Sequence, residues 1–318
     1  MTLTLIITRQ PVRIIVTSLP KSLDPKTLAT LEGLQVRSRQ IVEGLLAGTH
    51  RSPFRGVSVE FAEHREYVQG DDLRHVDWNV YARTDKLYLK QFVDETNLHC
   101  VLLVDSSASM QFATEQSLSK YEYAQCLAAA LGWLVLRNGD AVGAAVSELP
   151  LKQWLPSASH SEQFQRLIDL LTKVEIQTQS PSKSFSDFLT QVAIQLSQKS
   201  IVFILSDFFM DSEALTRGVE RLKVKGHDVT LFHVLDRGEL KFPFQGDVEL
   251  NSLEGQQTVQ VDADLIGGRY QELIEQFCQN LEATVRNLGA DYELLASDVN
   301  LQMALLTYFQ RSASRRSV

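Results

Sequence analysis

The 318-residue chain has only three cysteines, and they form no recognisable pattern. Cys100, Cys126 and Cys278 are widely separated, and the sequence contains no Cys-x-x-Cys pair. An odd, scattered set of cysteines argues against the disulfide framework of a small secreted protein. The cysteine content therefore favours a reduced compartment and no structural disulfides.

An excess of positive charge and a long apolar run are also missing. The 31 Lys and Arg residues are outnumbered by 39 Asp and Glu residues, which gives a net charge of -8 and disfavours a general nucleic-acid binder. No apolar run reaches bilayer length, and Arg9, Pro11 and Arg13 interrupt a segment that lacks the order of a signal peptide. We therefore expect a cytoplasmic protein without a transmembrane segment, whose route to a membrane would be a partner protein.

Several enzyme motifs are absent as well. The sequence has no GxSxG, no GxxxxGK[ST] and no GxGxxG, so hydrolase-elbow, P-loop and dinucleotide-binding functions lose their main support. Residues Ser117 to Lys120 match SxxK, but neither SDN nor KTG accompanies them. We interpret this match as chance.

What is present from residue 98 onward is an alternation of strand and helix patterns. Hydrophobic residues make up 44% and charged residues 22% of the chain, as in a soluble globular protein. Short apolar runs such as HCVLLVD and SIVFILSDF alternate with helical patterns, which predicts a mostly parallel sheet covered by helices on both faces. A β-hairpin is predicted at 248–262, late in this order.

These patterns predict four segments. Residues 1–23 form a weakly ordered leader, and residues 24–97 combine a helix at 24–47 with a charged, aromatic region that packs on the main domain. The main α/β domain spans 98–310. The polar tail, 311–318, is expected to be disordered.

Acidic and hydroxyl side chains follow two of the predicted strands. Asp105 ends the first strand of the sheet, Ser107 and Ser109 follow in the turn, and Asp207 ends a later strand. Ligands of open α/β sheets bind outside the carboxyl ends of the strands, and Mg²⁺ prefers oxygen ligands while keeping several waters. Capping of the next helix is the alternative explanation for Asp and Ser here. The second aspartate, at a matching strand end, favours a cation.

These four residues resemble the metal-ion-dependent adhesion site (MIDAS) of von Willebrand factor A domains. The wider chain, over residues 24–311, resembles the bacterial family called domain of unknown function 58. The stretches that carry the resemblance are HRSPFRGVSVEFAEHREYVQGDDLRHVDWNVYARTDKLYLKQFVDETN, LLVDSSASM, DAVG, LSDFF, GHDVTLFHVLD and FPF. The resemblance implies a von Willebrand factor A-like fold, bound Mg²⁺ or Mn²⁺, and a MoxR-type AAA ATPase as partner.

The chain departs from the adhesion-site pattern at one position. That site normally includes a Thr in a loop between the two aspartates, where this sequence reads QTQSPSKSFSDFL. Ser186 is the expected replacement, with Ser184 and Thr178 as alternatives. A serine supplies the same hydroxyl, although without the methyl group its rotamer is less restricted.

Residues 48–97 combine opposed charges with aromatic side chains, and three interpretations are open. Most of these charges are expected to form structural ion pairs with the main domain. A partner surface is the second interpretation, since Arg, Trp and Tyr are common interface anchors; its candidates are Arg74, Trp78, Tyr81 and Arg83. The third is a catalytic cluster of His64, Asp71, Asp72, His75 and Asp77, which lacks the spacing of a metal-hydrolase helix.

We therefore expect a non-enzymatic, metal-dependent protein-interaction module. Asp105, Ser107, Ser109, Ser186 and Asp207 are its predicted metal ligands. It would work with a MoxR-type AAA ATPase in the assembly or activation of client proteins. The competing hypothesis is a metal-dependent, phosphatase-like hydrolase that uses Asp105 or the cluster from His64 to Asp77. A structural adaptor that binds no metal is a third, weaker hypothesis.

Overall fold

The computed structural model divides into two compact units, residues 52–98 and the remainder of the chain. The residues that the structure describes are 34–47, 59–66, 78–84, 86–94, 98–114, 118–147, 151, 153–173, 183–253 and 258–316. The predicted leader, 1–23, lies outside them.

The helix predicted at 24–47 is observed over its described part as α1 (Leu34–Ala47), in the larger unit. Its buried side chains Ile41, Val42 and Leu45 are the apolar positions of an amphipathic pattern. On its other side, the Arg39 guanidinium lies 4.6 Å from the centroid of the Trp133 ring. The helix is therefore an integral part of the larger unit.

The described residues of the smaller unit form a two-stranded antiparallel sheet and one short helix. Strand β1 (Val59–Glu66) pairs with β2 (Tyr88–Asp94), with an irregularity between Phe61 and Glu63, and α2 (Trp78–Thr84) lies between them in sequence. The strand predicted from the alternation in LYLKQFV is thus confirmed. The packing of this region on the main domain stays a prediction.

A six-stranded sheet forms the centre of the larger unit. Its order is β10-β7-β6-β3-β4-β5, with every neighbouring pair parallel except β4 and β5. This confirms the predicted mostly parallel α/β class. The strands are β3 (His99–Val104), β4 (Ala141–Val146), β5 (Trp154–Ala158), β6 (Ser200–Ser206), β7 (Asp228–Leu235) and β10 (Asp291–Ala296).

Helices connect and cover these strands. They are α3 (Lys120–Arg137), α4 (Gln163–Thr172), α5 (Lys183–Gln195), α6 (Ser212–Val224), α7 (Arg237–Lys241), α8 (Ala263–Asn287) and α9 (Leu301–Arg316). The predicted hairpin is confirmed as antiparallel β8 (Asp247–Asn251) and β9 (Thr258–Asp262). No helix among the described residues is long and apolar enough to cross a bilayer.

The prediction of a disordered tail from residue 311 is wrong for residues 311–316, which continue α9. Tyr308 anchors this helix by packing against the rings of Phe203 and Phe232. One turn later the Arg311 guanidinium bonds Glu293 at 2.8 Å. Polar composition suggested disorder, but these two contacts extend the helix.

Alternate side chains of the strands reach opposite faces of the sheet, as the period of a strand requires. On one face Val101 and Leu103 join a core that includes Phe188 of α5 and Leu215 of α6. Helix α3 approaches the other face at Gly132, where an added Cβ would lie 3.4 Å from Leu102. Helices among the described residues therefore pack on both faces of the sheet.

Candidate functional site

The candidate site lies where the direction of strand connections reverses. The chain proceeds from β3 to β4 and β5 on one side, then returns to place β6 on the other side of β3. Asp105 directly follows β3 and Asp207 directly follows β6, and the Asp105 N–H donates to the Leu205 carbonyl at 2.9 Å. Both aspartates therefore lie at one carboxyl edge, at the switch point where α/β sheets bind ligands.

The Asp105 carboxylate is held by three hydrogen bonds. Oδ1 accepts from the Ser107 N–H and the Ser147 hydroxyl, each at 2.9 Å, and Oδ2 accepts from the Ser206 hydroxyl at 2.6 Å. Ser147 follows β4 and Ser206 is the last residue of β6, so three adjacent strands fix this group. With 3% of Asp105 exposed, its orientation is strongly determined.

Burial raises the pKa of Asp105, and the negative charge of Asp207 raises it further. The hydrogen bonds from Ser206, Ser107 and Ser147 act in the opposite direction but do not cancel these effects. Asp207 therefore lies close enough to disfavour the charged form of Asp105. A nearby cation would relieve that repulsion.

The hydroxyls of Ser107 and Ser109 form a hydrogen bond with each other at 2.9 Å, and Ser107 is half-buried whereas Ser109 is buried. Ser107 precedes a short 3-10 helix (Ala108–Gln111), but its side chain forms no capping hydrogen bond. Ser119 caps α3, in a reciprocal capping box with Glu122. Helix capping therefore does not explain the Asp-x-Ser-x-Ser turn.

Asp207 is paired with a buried lysine. Its Oδ2 accepts from the Lys120 Nζ at 2.8 Å, and its Oδ1 accepts from the Phe209 N–H at 3.2 Å. Phe208, between them, has a φ of 52°, a left-handed conformation that costs roughly 1 kcal/mol for a residue with a Cβ. The carboxylate is thus fixed by a tight turn and by a lysine from α3.

Lys120 also donates to Glu239 Oε1 at 2.7 Å, so one ammonium bridges two carboxylates. Burial lowers the pKa of Lys120, but the charges of Asp207 and Glu239 outweigh that effect and the net shift is upward. Burial raises the pKa of Glu239 to about 7, against the opposing effect of Lys120. The lysine is therefore a cation at neutral pH.

A third strand end extends the acidic edge. Asp236 follows β7, caps α7 by accepting from the Gly238 N–H at 2.7 Å, and accepts from the Ser297 hydroxyl at 3.1 Å. Its backbone N–H donates to Glu239 Oε2 at 2.8 Å. The buried acidic groups of β3, β6 and β7 thus form one edge, with Lys120 as their buried ammonium among the described residues.

Ser186 lies in the first turn of α5, and its carbonyl accepts from the Thr190 hydroxyl at 2.8 Å. No hydrogen bond of the described residues joins Ser186 to Asp105, Ser107 or Ser109. Thr178 lies outside the described residues, and for Ser184 only its position in the helix is described. The fifth predicted ligand is therefore not brought into the network seen around Asp105.

The predicted partner surface is described in part. Trp78 and Tyr81 lie one turn apart on α2, are 60% and 38% exposed, and form an edge-to-face pair with centroids 6.1 Å apart. Arg83 is exposed on the same helix. Arg74 lies outside the described residues, as do all members of the proposed catalytic cluster except His64, of which the structure describes the backbone in β1.

Sequence patterns did not indicate four side chains that bond to Asp105 or Asp207 or belong to the same network: Lys120, Ser147, Ser206 and Glu239. Ser206 immediately precedes Asp207, and Ser147 follows an apolar strand, so a search for hydroxyls at every strand end would have found both. Lys120 was visible only as part of a chance SxxK match. Its pairing with Glu239 joins residues 119 positions apart, which no local pattern indicates.

The donor set suits a small, hard cation. Among the described residues, no three His, Cys, Asp or Glu side chains are grouped as a metal site. Mg²⁺, however, needs few protein ligands because it keeps several waters. Two neighbouring ligands of an octahedral Mg²⁺ lie about 3 Å apart, close to the 2.9 Å between the Ser107 and Ser109 hydroxyls. The residues present therefore fit a hydrated divalent cation.

A mostly parallel sheet covered by helices, with polar groups at its switch point, defines an open-sheet α/β domain. The chain belongs to the family described as "Protein of unknown function DUF58", which matches residues 63–276. It is similar to the uncharacterized proteins Rv1480 of Mycobacterium tuberculosis H37Rv and Mb1516 of Mycobacterium bovis, each 30% identical over 234 residues. Each match covers 73% of this chain and 72% of the relative.

Solved structures with a similar chain path include BatB from Bacteroides thetaiotaomicron and the SpRpn10 VWA domain. BatB is 15% identical with a TM-score of 0.45, covering 68% of this chain and 99% of BatB. The SpRpn10 domain is 9% identical with a TM-score of 0.39, covering 66% of this chain and 94% of that domain. Similarity at this level transfers no function to the chain.

Proposed function

We propose that this protein is a divalent-cation-dependent protein-interaction module. The observation that carries the proposal is the placement of Asp105 and Asp207 at adjacent strand ends, beside the paired hydroxyls of Ser107 and Ser109. The two hydroxyls would bind Mg²⁺ or Mn²⁺ directly, and the two carboxylates would hold its waters. Ser186 remains the candidate for a third hydroxyl.

The cation would supply an electrophilic position that an acidic partner can fill. Where Asp105, Asp207 and Glu239 are all ionised they outnumber Lys120, so the edge without a cation is then negative and repels a carboxylate. With the cation bound, a partner's Asp or Glu would complete its coordination shell. Binding of an acidic protein segment should therefore depend on the metal.

The partner we propose is a MoxR-type AAA ATPase, with client proteins acted on by the pair. Support comes from the family resemblance of the sequence, which associates such chains with these ATPases. The exposed Trp78–Tyr81 pair of α2, with Arg83, is proposed as a second contact surface, because exposed aromatic side chains are typical interface anchors.

A binding role suits Asp105 better than a role as a catalytic nucleophile. Its two carboxylate oxygens accept three hydrogen bonds, and 3% of the residue is exposed. A nucleophilic carboxylate needs an oxygen that a substrate can reach. Phosphatase and esterase assays with Mg²⁺ or Mn²⁺ test the alternative, a metal-dependent hydrolase. Turnover by the wild type that is lost in Asp105→Ala would establish it.

The proposal is tested by pull-down of a purified MoxR-type ATPase with the full chain. Capture should weaken at least tenfold with EDTA, and equally with Asp105→Ala or Ser107→Ala, because each change removes the cation that a partner carboxylate needs. Asp169→Ala is the matched control, since Asp169 is an exposed acid of α4. It should bind as the wild type does.

Equal capture with and without chelator would remove the cation from the interaction while leaving the ATPase as partner. The Trp78–Tyr81 surface would then be the preferred docking site. In that case Trp78→Ala should abolish capture that EDTA leaves intact.

A further inference from the structure

Lys120 is a fully buried lysine whose role extends beyond packing. Its side chain has no exposed surface, and Nζ lies 2.8 Å from Asp207 and 2.7 Å from Glu239. The rings of Phe209 and Phe112 flank the ammonium, with centroids 5.1 and 5.8 Å away. A charge so enclosed interacts strongly with its neighbours, because little water screens it.

The three charged groups come from three separate elements. Lys120 is the first residue of α3, Asp207 follows β6, and Glu239 lies on α7. Removing one partner of a buried ion pair leaves the other charge uncompensated, which is strongly destabilising. The lysine therefore holds the acidic edge together in the absence of any metal.

The same contact limits what Asp207 can offer to a metal. Oδ2 is engaged by the ammonium and Oδ1 by a backbone N–H. A divalent cation whose waters reach Asp207 must compete with Lys120, and it must also approach a positive charge in a poorly screened environment. Both effects weaken its binding.

We propose that Lys120 is a built-in counter-cation that keeps the metal-free edge folded and sets a low affinity for the divalent cation. This inference rests on the proposed cation site and concerns the residue that regulates it. Occupancy would then follow the concentration of free cation rather than being permanent. Because the partner binds through the cation, partner binding at this edge would also rise and fall with the concentration of free cation.

Charge-matched variants can separate the lysine from the net charge of the site. At pH 8, above the pKa of about 7 of Glu239, Lys120→Met combined with Glu239→Gln removes one positive and one negative charge, so the net charge of the cluster is unchanged, but Asp207 is released. In Glu239→Gln alone, Asp207 becomes the remaining charged partner of Lys120 in this cluster. Lys173→Met, in an exposed pair of α4, is the control for loss of a lysine.

Mg²⁺ binding to each full-length chain is measured by calorimetry and by the rise in Tm at saturating Mg²⁺. We expect the double variant to bind at least about tenfold more tightly than the wild type, because it frees Asp207 from a hydrogen bond to a charged group, a bond that contributes roughly 1.5 kcal/mol or more. Its Tm should rise more with Mg²⁺, because tighter binding stabilises the fold more. Glu239→Gln should bind more weakly, and Lys173→Met should match the wild type.

If the wild type binds Mg²⁺ and the double variant binds it equally or more weakly, Lys120 does not lower the affinity for the cation. That result would overturn the role proposed for Lys120 but not the cation site. If the double variant does not fold, the Glu239→Gln variant decides. Tighter Mg²⁺ binding by Glu239→Gln than by the wild type would overturn the role proposed for Lys120. The absence of Mg²⁺ binding in every chain would instead overturn the cation site itself.

Discussion

At the scale of single residues, the acidic edge is a set of charges that burial disfavours and specific partners stabilise. Asp105 has no cationic partner among its hydrogen bonds and relies on two serine hydroxyls and one backbone N–H. Asp207 and Glu239 share the Lys120 ammonium. Asp105, the carboxylate without its own ammonium, directly follows β3, and an added cation would have its largest effect there.

Glu239 should make the stability of the fold depend on pH. Burial raises its pKa from 4.5 to about 7, so the folded state holds this proton more tightly than the unfolded state does. Its stabilising contribution is present below pH 4.5 and is lost as pH rises through 7, by about 3 kcal/mol. Between pH 5 and pH 8, the free energy of unfolding measured in urea should fall by about 3 kcal/mol more in the wild type than in Glu239→Gln, because the other buried titratable groups are the same in both chains. The same change with pH in both chains would contradict the assignment.

At the scale of elements, the close approach of β5 to β4 explains why a glycine occupies position 143. Gly143 lies in β4, where an added Cβ would meet the Leu155 carbonyl oxygen and the Ser157 nitrogen of β5, each at 2.8 Å. Because backbone atoms of a paired strand cannot move aside cheaply, Gly143→Ala should destabilise the protein by roughly 2 kcal/mol or more. Gly268→Ala is the control, since Gly268 lies in α8 with open space around it and should gain up to about 1 kcal/mol. Equal melting temperatures for the two variants would refute the β4–β5 contact.

The elements that the sequence predicted are those with strong apolar patterns. Strands β3, β6 and β7 are almost entirely buried, and their runs of Val, Ile, Leu and Phe were recognisable. Strand β5 was missed because it is a half-exposed edge strand that contains Pro156, which weakens its strand pattern. Helix α7 was missed because five residues carry too little periodicity to identify a helix.

At the scale of the whole molecule, the parallel topology of the sheet made the positions of Asp105 and Asp207 predictable. Asp105 and Asp207 end parallel strands, and any parallel pairing of β3 with β6 brings them to one edge. Lys120 and Glu239 could not be predicted, because their positions depend on how α3 and α7 pack across that edge. Sequence patterns indicate which residues leave a strand end, whereas contacts between distant helices require the three-dimensional structure.

The smaller unit should not fold by itself. The part of it that the structure describes is a two-stranded sheet and one seven-residue helix, and isolated two-stranded sheets are marginally stable at best in water. A fragment of residues 50–97 should therefore lack a cooperative thermal transition in circular dichroism, while the full chain shows one. A cooperative transition in the fragment would reject this prediction.

The central claim is that the edge formed by Asp105, Ser107, Ser109 and Asp207 holds a divalent cation. The most direct measurement is an anomalous difference map from crystals of the full chain grown with Mn²⁺. We predict one strong peak about 2.2 Å from both the Ser107 and Ser109 hydroxyls, with the two carboxylates at water-mediated distance. A map in which Mn²⁺ binds elsewhere, with this edge vacant at saturating Mn²⁺, would contradict the account.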